Sequence, residues 1–76
     1  MPRYFIDTDE GRHFCQDEDG AHYADVSDAE ALAVRTLSEI ARDTAHRGAL
    51  SPLCARVRDD AGAVLATARL QVTVER

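Results

Sequence analysis

His13 and Cys15 stand two apart in a segment, residues 12–16, that reads as a strand, so their side chains share one face. With Asp17 or His22 nearby they could offer Zn²⁺ the Cys, His and carboxylate donors it takes. No second Cys/His pair with structural-zinc spacing accompanies them, and strand surface is the ordinary reading. Asp7, Asp9 and Glu18 occupy the first, third and twelfth places of a calcium loop. The sixth place needs Gly and holds Arg12, while the fifth holds Gly11, which has no side-chain oxygen. A hairpin explains the same acids. Nucleophilic catalysis needs a base beside the nucleophile. Ser27 reads as a helix cap, and Cys15 and Cys54 lie in strand patterns where free Cys is usually inert packing. No Gly-rich phosphate loop occurs, and no cofactor is expected. The remaining candidates are arginines: Arg56, Arg58 and Arg69 project from one face of a predicted hairpin. Leu65, Cys54 and Phe5 give that face apolar area. A solvated sheet face and a contact surface both account for it.

The elements that must position these residues follow from local patterns. Residues 3–8 are aromatic and β-branched and predict a strand. Asp9-Glu10-Gly11 is turn chemistry, and residues 12–16 predict the returning strand. Asp17-Glu18-Asp19-Gly20 is a second turn, and 21–24 either adds a short strand or leads into a helix. Ser27 followed three residues later by Glu30 is a capping box, with Asp28 adding negative charge where the helix dipole is positive. The helix is expected from about Asp28 to His46, whose side chain suits the C-terminal end of the dipole. Ala29, Ala33, Leu37, Ile40 and Thr44 form one stripe at helical spacing, with Val34 and Ala41 flanking it. Leu32 falls on the polar side, as a loop or partner contact. Gly48 ends the helix and Pro52 forbids its resumption.

From Leu53 onward a second hairpin is expected. Leu53, Ala55 and Val57 alternate with Cys54, Arg56 and Arg58, and Val64, Ala66, Ala68, Leu70, Val72 and Val74 continue the apolar series after the Asp59-Asp60-Ala61-Gly62 turn. Val57 is expected opposite Val64, because a one-residue slip would pair the buried face with the solvated one. The result is an α+β fold, ββαββ: a two-layer sandwich with a four-stranded, mainly antiparallel sheet and one helix on one face. Residues 1–76 form one small domain.

Composition narrows the function. The 76 residues carry 9 Arg and 14 acids, a formal charge of −5. Residues 1–30 hold nine acids against Arg3 and Arg12, whereas residues 31–76 hold five acids against seven Arg. The acidic front half opposes non-specific nucleic-acid binding, which needs a basic footprint. Thirteen of the apolar residues are Ala, and only Tyr4, Phe5, Phe14 and Tyr23 are aromatic. A chain this short buries only about 60% of its unfolded surface, and pockets of roughly 300 Å³ or more need walls it cannot spare. An enzyme is therefore not expected. No apolar run approaches the ~18 residues of a membrane span, and Asp7, Asp9 and Glu10 interrupt any secretion signal. Two thiols without such a signal are expected to be free, in the cytoplasm.

The opening Met1-Pro-Arg-Tyr-Phe5, the Asp17-Glu-Asp-Gly20 turn, Asp25 before the helix, the Ala-rich helix and the Val57-Arg-Asp-Asp-Ala-Gly62 turn occur in a distinctive order. Together they resemble a bacterial family of short proteins, domain of unknown function 6894, over essentially the whole chain. The resemblance implies size and order of elements. Residues 17–31 are also similar to the HicB-like antitoxin family, where a hairpin and an acidic-Gly turn precede a capped helix; that similarity implies a regulator bound to a toxin partner. The thin core implies instead a non-enzymatic interaction module that self-associates, since small domains are commonly completed by a second copy. A homodimer through the arginine-bearing sheet face is favoured over edge-strand pairing. A weak nucleic-acid contact through Arg56, Arg58 and Arg69 is the further alternative, and no membrane partner is expected.

Overall fold

The computed structural model describes residues 1–48 and 51–76. The elements run β1 (Arg3–Asp9), β2 (Phe14–Cys15), β3 (Ala21–His22), α1 (Val26–His46), β4 (Leu53–Arg58) and β5 (Val64–Leu70). All pairings are antiparallel, in the order β2-β1-β4-β5, with β3 also on β1. The helix lies on one face, as the ββαββ expectation required. Residues 21–24 resolve into a short strand, Ala21–His22, so five pieces replace the expected four.

The returning edge of the first hairpin is interrupted. Thr8 pairs with Cys15 and Tyr4 with Ala21. Three residues of β1 therefore face five of the edge, and the surplus loops out as Asp17–Gly20. Gly20 takes φ +66°, and a Cβ there would sit 2.8 Å from the Phe5 ring and 2.9 Å from the Tyr4 carbonyl oxygen.

The helix begins earlier than the Ser27–Glu30 box predicts. Asp25 is the N-cap: its backbone is extended and its carboxylate accepts from the Asp28 N–H and the Ser27 hydroxyl. An Asp with two local donors within reach, one of them the amide three residues on, outcompetes the hydroxyl as cap. The Ser27 hydroxyl is thus a donor to the cap, and Glu30 stays exposed. The far end behaves as expected, with Arg47 as C-cap and the Gly48 N–H donating to the Ala45 carbonyl.

The second hairpin is offset from the expected register. Arg58 pairs with Val64 and Val57 with Ala66, leaving Leu65 as the extra residue of a β-bulge. The Asp59 carboxylate causes this by accepting the Ala61 and Ala63 amides, which tightens the turn around Gly62, at φ +87°. The bulge then returns Ala66, Ala68 and Leu70 to the helix side. Val64 is displaced from the expected inner series to the strand position opposite Arg58 and is half exposed. The strand also ends at Leu70, short of Val72 and Val74. Leu70 pairs with Leu53, and the residue before Leu53 is Pro52, which has no N–H to extend the ladder.

The core between the layers is thin. Ala29, Ala33 and Leu37 of α1 meet Leu53, Ala55 and Val57 of β4. Tyr4, Ile6, Tyr23 and Ile40 are only partly buried against them. The Tyr4 and Tyr23 rings, 6.0 Å apart and tilted, close the end where β1 meets the helix entry.

Gly20→Ala and Gly62→Ala separate backbone strain from crowding. An alanine at positive φ costs about 1–2 kcal/mol, and Gly62 has open space around it. Gly20→Ala is expected to lower the urea midpoint further than Gly62→Ala, because it also forces Phe5 and the Tyr4 carbonyl away. Equal midpoints would show that the loop does not press on Phe5.

Candidate functional site

On the face away from the helix, β1 contributes Phe5, Asp7 and Asp9, while β4 contributes Cys54, Arg56 and Arg58. Thr67 and Arg69 of β5 lie opposite Arg56 and Cys54. Of the expected contact residues, the structure brings Arg56, Arg58 and Arg69 to this face; Leu65 stands at the bulge beside it, half exposed.

Arg58 is not a free surface arginine. Its Nε donates to Asp7 Oδ2 at 2.6 Å and its Nη2 to Asp7 Oδ1 at 3.2 Å. Nη2 also donates to the Asp17 carbonyl oxygen at 2.8 Å. The guanidinium carbon lies 4.7 Å from the centre of the Phe5 ring, a cation–π distance. Asp7 is only 5% exposed and the Arg58 side chain 18%. The pair is a clasp between β1 and β4 whose partners are 51 residues apart in sequence. Of the three nitrogens of Arg58, Nε and Nη2 are engaged inside the molecule.

Asp17 completes the clasp. Its N–H donates to Asp7 Oδ1 at 2.9 Å, and its Oδ2 accepts the Ile6 N–H at 3.1 Å. Ile6 lies in the gap between the β1 residues paired with β2 and with β3, so the carboxylate stands where a neighbouring strand's carbonyl would be. Asp17 Oδ1 accepts the Gly20 and Asp19 amides and holds the loop closed. Burial alone would raise the Asp17 carboxyl. The Gly20, Ile6 and Asp19 amides, with the Arg58 charge, hold it below its ordinary value. Arg58 is pushed above its ordinary value, foremost by the hydrogen bond to Asp7, against the opposing effect of burial. Asp25 is held low by the Ser27 hydroxyl and the Asp28 amide.

The other candidates separate. Among the described residues, no three His, Cys, Asp or Glu side chains converge to hold a metal. His22 Nδ1 is 2.9 Å from the Met1 carbonyl oxygen, and Asp9 accepts the Gly11 amide. Cys15 and Cys54 are free thiols, the first exposed. Arg56 and Arg69 retain unpaired donors among the described contacts. Among the described residues, no helix is long and apolar enough to cross a membrane.

The structure defines a small α+β domain, one helix over an antiparallel sheet, closed by a buried carboxylate–guanidinium clasp. The chain belongs to the family described as domain of unknown function (DUF6894), which matches residues 3–71. No curated protein and no solved structure matches it. The matched span reaches just past β5 and contains every residue of the clasp.

Two predictions follow from the clasp. Arg58→Met strands the Asp7 carboxylate and is expected to lower the melting temperature more than Arg56→Met or Arg69→Met; exposed substitutions such as Arg69→Met stay within about 0.5 kcal/mol of the parent. Equal effects of all three in thermal denaturation would remove the clasp. Asp17, with its folded-state carboxyl depressed, contributes stability that is full above the unfolded value of about 3.9 and lost as pH falls through the folded value. Urea midpoints are therefore expected to fall below about pH 4, and Asp17→Asn to flatten that fall while costing about 1–2 kcal/mol at neutral pH. An unchanged acid limb in the variant would contradict this.

Proposed function

We propose that this chain is a non-enzymatic interaction module that works as a homodimer in the cytoplasm. The observation that carries the reading is its surface. The accessible area is 5457 Å², about 900 Å² above the ~4,600 Å² ordinary for a monomer of 8.3 kDa. That excess matches the ~800 Å² each partner buries in a standard protein–protein interface. The exposed segment 71–76 supplies part of it, and Val34, Val64, Leu65, Val72 and Val74 remain open to solvent.

The polar groups support a structural rather than a catalytic role. The ionisable residues drawn most closely together, Asp7, Asp17 and Arg58, satisfy one another and the backbone. A free, exposed Cys15 suits a reducing compartment. Nucleic-acid contact through the sheet face rests on Arg56 and Arg69 alone once Arg58 is engaged.

Sedimentation velocity of the full chain at micromolar concentration is expected to show a species of twice 8.3 kDa. A single species at the monomer mass throughout that range would overturn the reading.

A further inference from the structure

The two edges of the sheet are built differently. On one side β2 and β3 are two residues each, separated by the acidic Asp17–Gly20 loop. Short, interrupted and charged edges resist pairing with another chain. On the other side β5 is seven residues long, Val-Leu-Ala-Thr-Ala-Arg-Leu, with no Pro and one charge. Its outer edge has no partner among the described residues.

Beside that edge the layers gape. A cavity of about 230 Å³ opens between Ala33 and Val34 of α1 and Ala66 and Ala68 of β5, with Glu30 at its rim. Val34 is 56% exposed. Further along, Ala41, Thr44 and Ala45 stand beside Leu70 and Val72, so helix and strand run in the same direction. Small side chains on both walls leave room that no described residue fills.

The chain also carries a strand sequence without a strand. Gln71-Val72-Thr73-Val74 continues the period-2 alternation of β5, yet its pairing with β4 stops at Leu53 opposite Leu70, and among the described residues nothing pairs with 71–74. Val74 is 69% exposed. An open edge, an unfilled groove of alanines and an unpaired β-branched segment lie next to one another on one chain.

Resting on the self-association reading, we propose that the dimer forms by antiparallel pairing of β5 with β5 of a second copy, each strand extended through Val74. Opposed residues must share a face, so the two-fold axis passes through a residue position. An axis at Arg69 would set two guanidiniums opposite each other. An axis at Leu70 sets Val72 opposite the partner's Ala68 and Val74 opposite the partner's Ala66. The valines then fill the groove that the alanines leave. Arg69 meets the partner's Gln71, and Thr73 meets the partner's Thr67. The paired span, residues 66–74, is about 30 Å long, and the two sheets become one with both helices on the same face.

The test uses cross-linking and truncation. In a Cys15→Ser, Cys54→Ala background, Thr67→Cys with Thr73→Cys is expected to oxidise to a covalent dimer, while either single cysteine stays largely uncross-linked. Deleting residues 71–76 is expected to give a monomer at micromolar concentration, with far-UV circular dichroism confirming the fold. If the full chain is dimeric but the truncated chain is too, and the cysteine pair fails to cross-link, self-association stands and this interface is overturned. A monomeric full chain overturns both. A monomer with protected 71–76 amides assigns the segment to its own edge and also overturns the proposal.

Discussion

The Asp7–Arg58 ion pair, with Asp17 closing over it, is the constraint on which the rest of this small protein depends. It joins the first strand to the fourth, and through Asp17 it binds in the loop that splits the edge strand. Both charges are largely removed from water, so each is tolerable only while the other is in place. Further hydrogen bonds support the pair: Asp7 accepts from the Asp17 amide, and Arg58 Nη2 donates to the Asp17 carbonyl. A register slip of β1 against β4 would break the bonds that Arg58 makes to Asp7 and to the Asp17 carbonyl together. The clasp therefore favours the observed β1–β4 register over a slipped one.

A clasp of this kind complements the poor apolar core. Three of the six buried core residues are alanines, and Val57 is the largest side chain that is fully enclosed. Alanines let helix and sheet approach closely, but they remove little area from water, at roughly 25 cal/mol per Å². The polar face thus has a structural role normally left to the apolar one. The same scarcity of large apolar side chains leaves β5 half covered.

The helix was readable because its apolar stripe has helical period and its far end carries Gly48 and Pro52. Its start was misplaced by two residues because Ser27-Glu30 and Asp25-Asp28 both have cap spacing, and only geometry shows which side chain reaches the amides. Alternation located both strands of the second hairpin. The bulge at Leu65 was not legible, since it depends on the Asp59 carboxylate capturing two amides in the turn. The clasp was hidden for a different reason. Its residues were all visible, Asp17 among the turn residues and Arg58 among the face arginines, but their meeting depends on the β1–β4 register across 51 residues. Alternation past Leu70 overstated β5, because a period-2 pattern records a capacity to pair, while the partner strand decides where pairing stops.

The most direct test of this account is amide hydrogen exchange at Ile6. The account has the Asp17 carboxylate standing in for a strand at that position, which predicts protection of the Ile6 N–H comparable with the cross-strand amides of β4 and its selective loss in Asp17→Ala. Rapid exchange at Ile6 in the parent chain, or protection that survives Asp17→Ala, would contradict it.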